Sequence, residues 1–158
     1  EAPWTTITDK RSGITFKLPG TRPDSTERIL SDYLPDLDPP TRYRVMTAGA
    51  GAANNPIDVS VYVWDPEMGA SQSTIDRLFE RTGSRAGSVN APYPKRLTIA
   101  GQPATAKDTS NGSIDGTSGL TAAATIDGTL VVVHMYAVHD EPVNAAMFEQ
   151  VLSTFSKV

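Results

Sequence analysis

His134 and His139 are the only imidazoles in this chain of 158 residues, and cysteine is absent. Thiolate nucleophiles, disulfides and Cys-ligated zinc are therefore excluded. A serine hydrolase needs a hydroxyl on a strained elbow with a histidine and an acid beside it. Gly83-Ser84-Arg85-Ala86-Gly87 has those letters in the wrong order, because Ser84 follows the first glycine directly. The two histidines stand five apart on or just after a strand, so they project to opposite faces. His134 lies inside an apolar run and reads as a core histidine held neutral by burial. His139, beside Asp140 and Glu141, reads as a strand-end surface residue. A hydrolase using His134 or His139 would need a cleft with an acid and a hydroxyl around one of them. The residues point instead to a protein that is not an enzyme.

Cofactor signals are equally thin. Gly49-Ala50-Gly51 begins like a dinucleotide loop, but the third glycine is missing and Asn54-Asn55-Pro56 follows where a helix should start. No glycine–lysine phosphate loop occurs. Asp32, Asp36 and Asp38 cluster near prolines, and Asp108, Asn111 and Asp115 share a polar stretch. Neither group has calcium-loop spacing or its closing glutamate, so both read as solvated loop residues. Paired carboxylates from distant positions can still meet in a fold, and nothing singles out such a pair. The expectation is no cofactor and no metal.

The remaining candidates are aromatic and basic. Tyr62 and Trp64 share one face of a strand with Asp58 and Ser60, and Arg42, Tyr43 and Arg44 form a nearby strand. Aromatic side chains so placed either cover a helix or line a partner site. Tyr43, Arg44, Tyr62 and Trp64, with the Gly/Ala-rich segment between the strands, are the candidate ligand or partner surface.

The elements that would carry these residues are mostly strands. Residues 4–8 are aromatic and β-branched, and Ile14, Phe16 and Leu18 alternate with polar residues, predicting an opening hairpin. Residues 21–42 hold four prolines, which argues against a long helix there; residues 25–33 suit a short helix or strand, and 36–40 a loop. Arg42–Thr47 reads as a strand. Ile57, Val59, Val61 and Val63 alternate with Asp58, Ser60, Tyr62 and Trp64, predicting a half-buried antiparallel strand. Ser71 or Ser73 caps a helix carrying Ile75, Leu78 and Phe79, which decays near Gly83. Residues 96–100 and 103–107 form two short strands across Gly101-Gln102, and Asn111-Gly112 and Asp115-Gly116 mark a polar tip. Leu120–Ile126 and Thr129–Val138 flank Asp127-Gly128, a type I′ turn signal, and the second arm is apolar on both faces, as a central strand is. Pro142 opens a closing helix through Phe155, with Phe148, Leu152 and Phe155 on one stripe.

Length, composition and charge set the outer limits. A chain of 158 residues fits one domain, spanning 1–158, with a core that needs no disulfide or metal. The net charge of −4 and the scattered basic pairs Lys10/Arg11, Arg42/Arg44 and Lys95/Arg96 give no attraction to nucleic acid. No run of 18 apolar residues exists, so no transmembrane helix is expected. Glu1 in place of Met reads as a processed or trimmed chain, with room upstream for a signal peptide or a lipid-anchor cysteine. Richness in Thr, Ser, Ala, Gly and Asp fits an exported protein of a GC-rich bacterium.

Hairpins predominate over βαβ units, which predicts an α+β fold with a mainly antiparallel sheet and helices packed on its faces. The order of elements adds a resemblance. Gly13-Ile14-Thr15-Phe16-Lys17-Leu18-Pro19-Gly20 in the opening strand is followed by the Val59–Trp64 strand and a helix. A glycine-bearing strand pair at 97–107, a long hairpin and a closing helix with Phe148-Glu149-Gln150-Val151-Leu152-Ser153-Thr154-Phe155 complete the series. Across essentially the whole chain this order resembles the PsbP/Mog-like superfamily, including secreted proteins and lipoproteins of actinobacteria of the LpqN type. The resemblance implies an αβα sandwich acting as a binding or assembly module without catalysis, and it transfers no site residue. The resulting expectation is a secreted or lipid-anchored envelope module whose partner is a protein or envelope component. Its rival is a carrier holding a small apolar ligand between helix and sheet, in a pocket lined by Trp64, Tyr62 or Met135.

Overall fold

The computed structural model describes residues 4–19, 24–27, 37–47, 57–82, 89–110, 119–136 and 145–157. Among them are the strands β1 (Trp4–Asp9), β2 (Ile14–Pro19), β3 (Asp24–Glu27), β4 (Thr41–Thr47), β5 (Ile57–Val63), β6 (Val89–Pro92), β7 (Leu97–Ile99), β8 (Gln102–Ser110), β9 (Gly119–Ile126), β10 (Thr129–Tyr136) and β11 (Ser156–Lys157). The helices are α1 (Gln72–Thr82) and α2 (Ala145–Ser153). All strand pairings among the described residues are antiparallel. The fold is α+β, built mainly on antiparallel sheet.

The described residues form two sheets. The large one has eight strands, in the order β3-β4-β5-β10-β9-β8-β6, with β7 also paired to β8. The small one is β1-β2-β11. Side-chain alternation sorts the large sheet's residues to its two faces. Val45, Val59, Val61, Val63, Ala122, Ala124, Val131, Val133 and Met135 meet the small sheet's Ile14, Phe16 and Leu18, together with Phe148, Val151 and Leu152 of α2. On the opposite face, Ile75, Leu78 and Phe79 of α1 pack on Tyr62, Trp64, Ala123, Leu130 and Val132. Ala123 is small, which leaves room for α1 above β9.

Turn chemistry fixes the hairpins. Asp127 (φ 48°) and Gly128 (φ 82°) carry the two positive φ values of the β9–β10 turn, at the dipeptide the sequence marks. In the β7–β8 hairpin the turn is Ala100-Gly101 (φ 51° and 79°), one residue earlier than expected, because Ile99 pairs with Gln102. α1 starts after Ser71, whose carbonyl accepts from Thr74 and Ile75.

Several expectations need correction. β5 is buried on both faces, since Asp58 and Ser60 as well as Tyr62 and Trp64 are buried. α2 ends at Ser153, short of Phe155. The chain then turns so that Phe155 stacks on Phe16, with centroids 4.8 Å apart, and β11 pairs with β2. The opening hairpin forms as predicted but stands with β11 in a sheet of its own, and the strand β6 is an addition to the predicted elements. β10 does lie centrally, between β5 and β9, with residues 130–135 buried. The connections 48–56 and 111–118, the possible helix or strand beyond Glu27, and Pro142 lie outside the described residues.

Candidate functional site

The face of the large sheet that carries α1 changes character along its strands. Under the helix it is apolar; beyond Tyr62, Val132 and Ala123 the same columns continue as Ser60, His134 and Thr121. Ser60 pairs across the strands with His134, and His134 with Thr121. On the neighbouring strand β4, Arg42 lies opposite Tyr62 and Arg44 opposite Ser60. Strand register alone thus gathers two arginines, two hydroxyls, an imidazole and Asp58 into one polar band, with Asp24 of β3 at the register position opposite Arg44.

Hydrogen bonds join these groups to one another. Arg44 donates through Nε (3.1 Å) and Nη2 (2.7 Å) to the two carboxylate oxygens of Asp58, a bidentate pair. The side chains are 32% and 10% exposed, so the fork is held at the rim of the band. Arg42 donates from Nε to Ser60 Oγ at 3.1 Å, and its guanidinium carbon lies 5.5 Å from the centre of the Tyr62 ring. Thr121 Oγ1 and His134 Nδ1 are 3.0 Å apart in the interior, with the donor set by the imidazole tautomer. Gly119 passes close beneath His134: a Cβ there would lie 2.9 Å from the imidazole Cε1.

Of the predicted surface residues, the structure places Tyr62 and Trp64 in the core beneath α1, with no exposed area. They cover a helix, the first of the two roles open to them. The Trp64 indole N–H has no hydrogen-bond acceptor among the described residues. Tyr43 points to the opposite face of the sheet and donates to Asp9 Oδ1 at 2.6 Å. Burial raises its phenol well above the ordinary value, and the bond to Asp9 adds to the effect. Arg44 alone of the four is both on the α1 side and partly exposed. Arg42, its companion at the next position on that face, belongs with it; the two-residue spacing on a strand was the available signal.

His134 is a buried histidine bonded to a threonine, and His139 lies outside the described residues. Asp58, the acid nearest His134 along the strand opposite, is bound to Arg44. Among the described residues no three His, Cys, Asp or Glu side chains gather in a metal-binding group. No helix among them is long and apolar enough to cross a membrane. The space between α1 and the sheet is filled by Ile75, Leu78 and Phe79, and Met135 belongs to the core on the other face. A groove of about 300 Å³ opens outside this packing, lined by Asp76, Phe79, Glu80, Thr105 and Lys107.

A second polar knot fastens α2. Tyr93 donates to Glu149 Oε2 at 2.5 Å, and Lys95 Nζ lies 3.0 Å from Oε1. The Tyr93 bond, then Lys95, hold the Glu149 carboxyl below its ordinary value. Burial first, then Glu149, push the Tyr93 phenol up to about 12. The second knot joins elements distant in sequence, whereas the bonds of the polar band join strands consecutive in the chain.

Comparison with family models, with curated proteins and with solved structures gave no match for this chain.

Proposed function

We propose that this chain is a non-catalytic binding module of the PsbP/Mog-like kind, an αβα sandwich working outside the cytoplasm as a secreted or lipid-anchored envelope protein. One observation carries the reading: among the described residues, Asp9, Asp58 and His134 are engaged in bonds that hold the fold. Asp9 takes Ser12 and Tyr43, Asp58 takes Arg44, and His134 takes Thr121. Binding by surface complementarity needs none of them free. The partly exposed rim of Arg42 and Arg44 is the contact surface of choice, and its partner is a protein or envelope component. α1 on one face and α2 on the other support the sandwich reading. The packed interior under α1 gives no support to an apolar carrier.

Fractionation of the source cells tests this, with determination of the mature protein's N-terminus and mass. Recovery outside the cytoplasm, together with saturable co-sedimentation of the purified chain with envelope material, is the expected result. An unprocessed cytoplasmic protein that ignores envelope material would sink the proposal.

A further inference from the structure

We infer that the outer edge of β1 is a self-association site, where a second copy of this chain adds its own β1 antiparallel about a two-fold axis through Thr6. Among the described residues β1 is paired on one side alone, by β2. The Lys17 amide donates to Thr154 Oγ1 at 3.0 Å, on the side of β2 that carries β11, so Lys17 turns its backbone away from β1. Its register partner Thr6 then turns its own N–H and C=O off the sheet, and Trp4 and Thr8 do the same by strand alternation. The 3.2 Å contact between the Thr8 and Thr15 hydroxyls fits a closely spaced, non-hydrogen-bonded pair of this kind. Thr6 and Thr8 are both exposed.

The other edges carry features that discourage strand addition, and β1 carries none. β3 is four residues long and bounded by Asp24 and Glu27, and β11 is two residues long and ends in Lys157. The stretch from the end of β6 to β7 holds Pro92, Pro94, Lys95 and Arg96. β1 runs six residues in unbroken register, with no proline and no charge from Trp4 to Thr8. Its pattern is also self-complementary. With Thr6 on the axis, Thr6 meets Thr6 and Trp4 meets Thr8, so every edge-facing residue of each copy pairs, giving about six backbone hydrogen bonds. Thr–Thr and aromatic–β-branched neighbours are favourable cross-strand pairs. On that face the nearest charges of the paired strands are the two Lys17 side chains, about 14 Å apart across three strand spacings. Physiological salt screens charges beyond ~8 Å, so these lysines repel little. One strand pair buries less than the ~1,200 Å² of a standard stable interface, which makes the dimer a weak one.

The test is sedimentation equilibrium of the full chain from about 10 μM to about 1 mM, with amide hydrogen exchange read by NMR at both ends of that range. The wild type should gain dimer as concentration rises, and the amides of Trp4, Thr6 and Thr8 should gain protection with it. Thr6→Pro removes the donor on the axis without touching the β2 ladder, and should weaken dimerisation about tenfold. Thr6→Lys and Thr6→Glu each set like charges opposite one another and should weaken it about fivefold. An equimolar mixture of those two variants should restore it. A wild type that stays monomeric at about 1 mM, or a Thr6→Pro variant that dimerises equally well with a native spectrum, would overturn the inference. Protection of the three amides only on adding envelope protein would give the edge to another chain's strand, and would overturn it too.

Discussion

The Tyr43 hydroxyl donates a 2.6 Å hydrogen bond to Asp9, and through it the small sheet is tied to β4 of the large one. The other oxygen of Asp9 accepts from the amide (3.1 Å) and hydroxyl (2.7 Å) of Ser12. Arg11, in the same turn, donates to Thr41 Oγ1 and to the Val63 carbonyl. The Tyr43 ring meets Phe16 edge-on, and Phe16 stacks on Phe155, so a polar tie and a row of rings dock the opening hairpin together.

Tyr43→Phe keeps the ring and removes the donor, leaving a buried carboxylate oxygen short of a partner. A hydrogen bond to a charged group is worth about 1.5–3 kcal/mol, and the half-buried ring places this one toward the lower end. Urea unfolding should show that loss. A change below about 0.5 kcal/mol, the range of ordinary surface substitutions, would contradict the tie.

Alkaline pH should loosen the Tyr93–Glu149 knot and the Tyr43–Asp9 tie. The Tyr93 phenol is raised in the folded protein from 10.0 to about 12, and Tyr43 is raised as well. A folded-state value above the unfolded one means stability that is complete below about pH 10 and lost as pH rises toward 12. A phenolate absorbance titration should show Tyr93 ionising late among the five tyrosines, and Tyr93→Phe should delete that late component. Ionisation of every tyrosine near pH 10 with the fold intact would contradict the Tyr93–Glu149 bond.

Gly119→Ala tests the close approach at the polar band. A new Cβ would collide with the Met135 carbonyl oxygen and crowd the His134 ring. Backbone on one side and a buried imidazole on the other leave little room to yield, so overpacking should cost about 1–3 kcal/mol or more. Wild-type stability in a urea melt would refute that packing.

Trp64 reports on whether the face beneath α1 is closed. The protein has two tryptophans, Trp4 and Trp64. In Trp4→Phe the remaining emission should be blue-shifted and protected from acrylamide, because Trp64 is fully buried. Red-shifted, readily quenched emission would open that face and revive Tyr62 and Trp64 as contact residues.

The sequence reveals most where local chemistry decides the outcome. Asp127-Gly128 sets its own turn, and the apolar run 130–135 has to be covered on both sides. The helical stripe of Ile75, Leu78 and Phe79 likewise needs a surface to lie on. Alternation in β5 gives the correct two faces, but it is silent on how deeply each is covered. A Tyr and a Trp beside Asp58 and Ser60 look like an exposed face until α1 is placed over them. The opening hairpin of the small sheet is legible, but its third strand is not, because β11 is two residues long and pairs with β2 across most of the chain. Which of Arg42 and Arg44 meets Asp58 depends on the register of β4 against β5, which the sequence does not show.

Salt-dependent co-sedimentation of the purified chain with envelope material, wild type against Arg42→Gln, tests the central claim most directly. The account predicts saturable binding by the wild type that weakens as salt rises to about 0.15 M, where charges are screened beyond roughly 8 Å. Arg42→Gln, with a native spectrum, should bind at least about tenfold more weakly. Equal binding by both proteins, or none by the wild type, would contradict the claim that this chain works by presenting its arginine rim to an envelope partner.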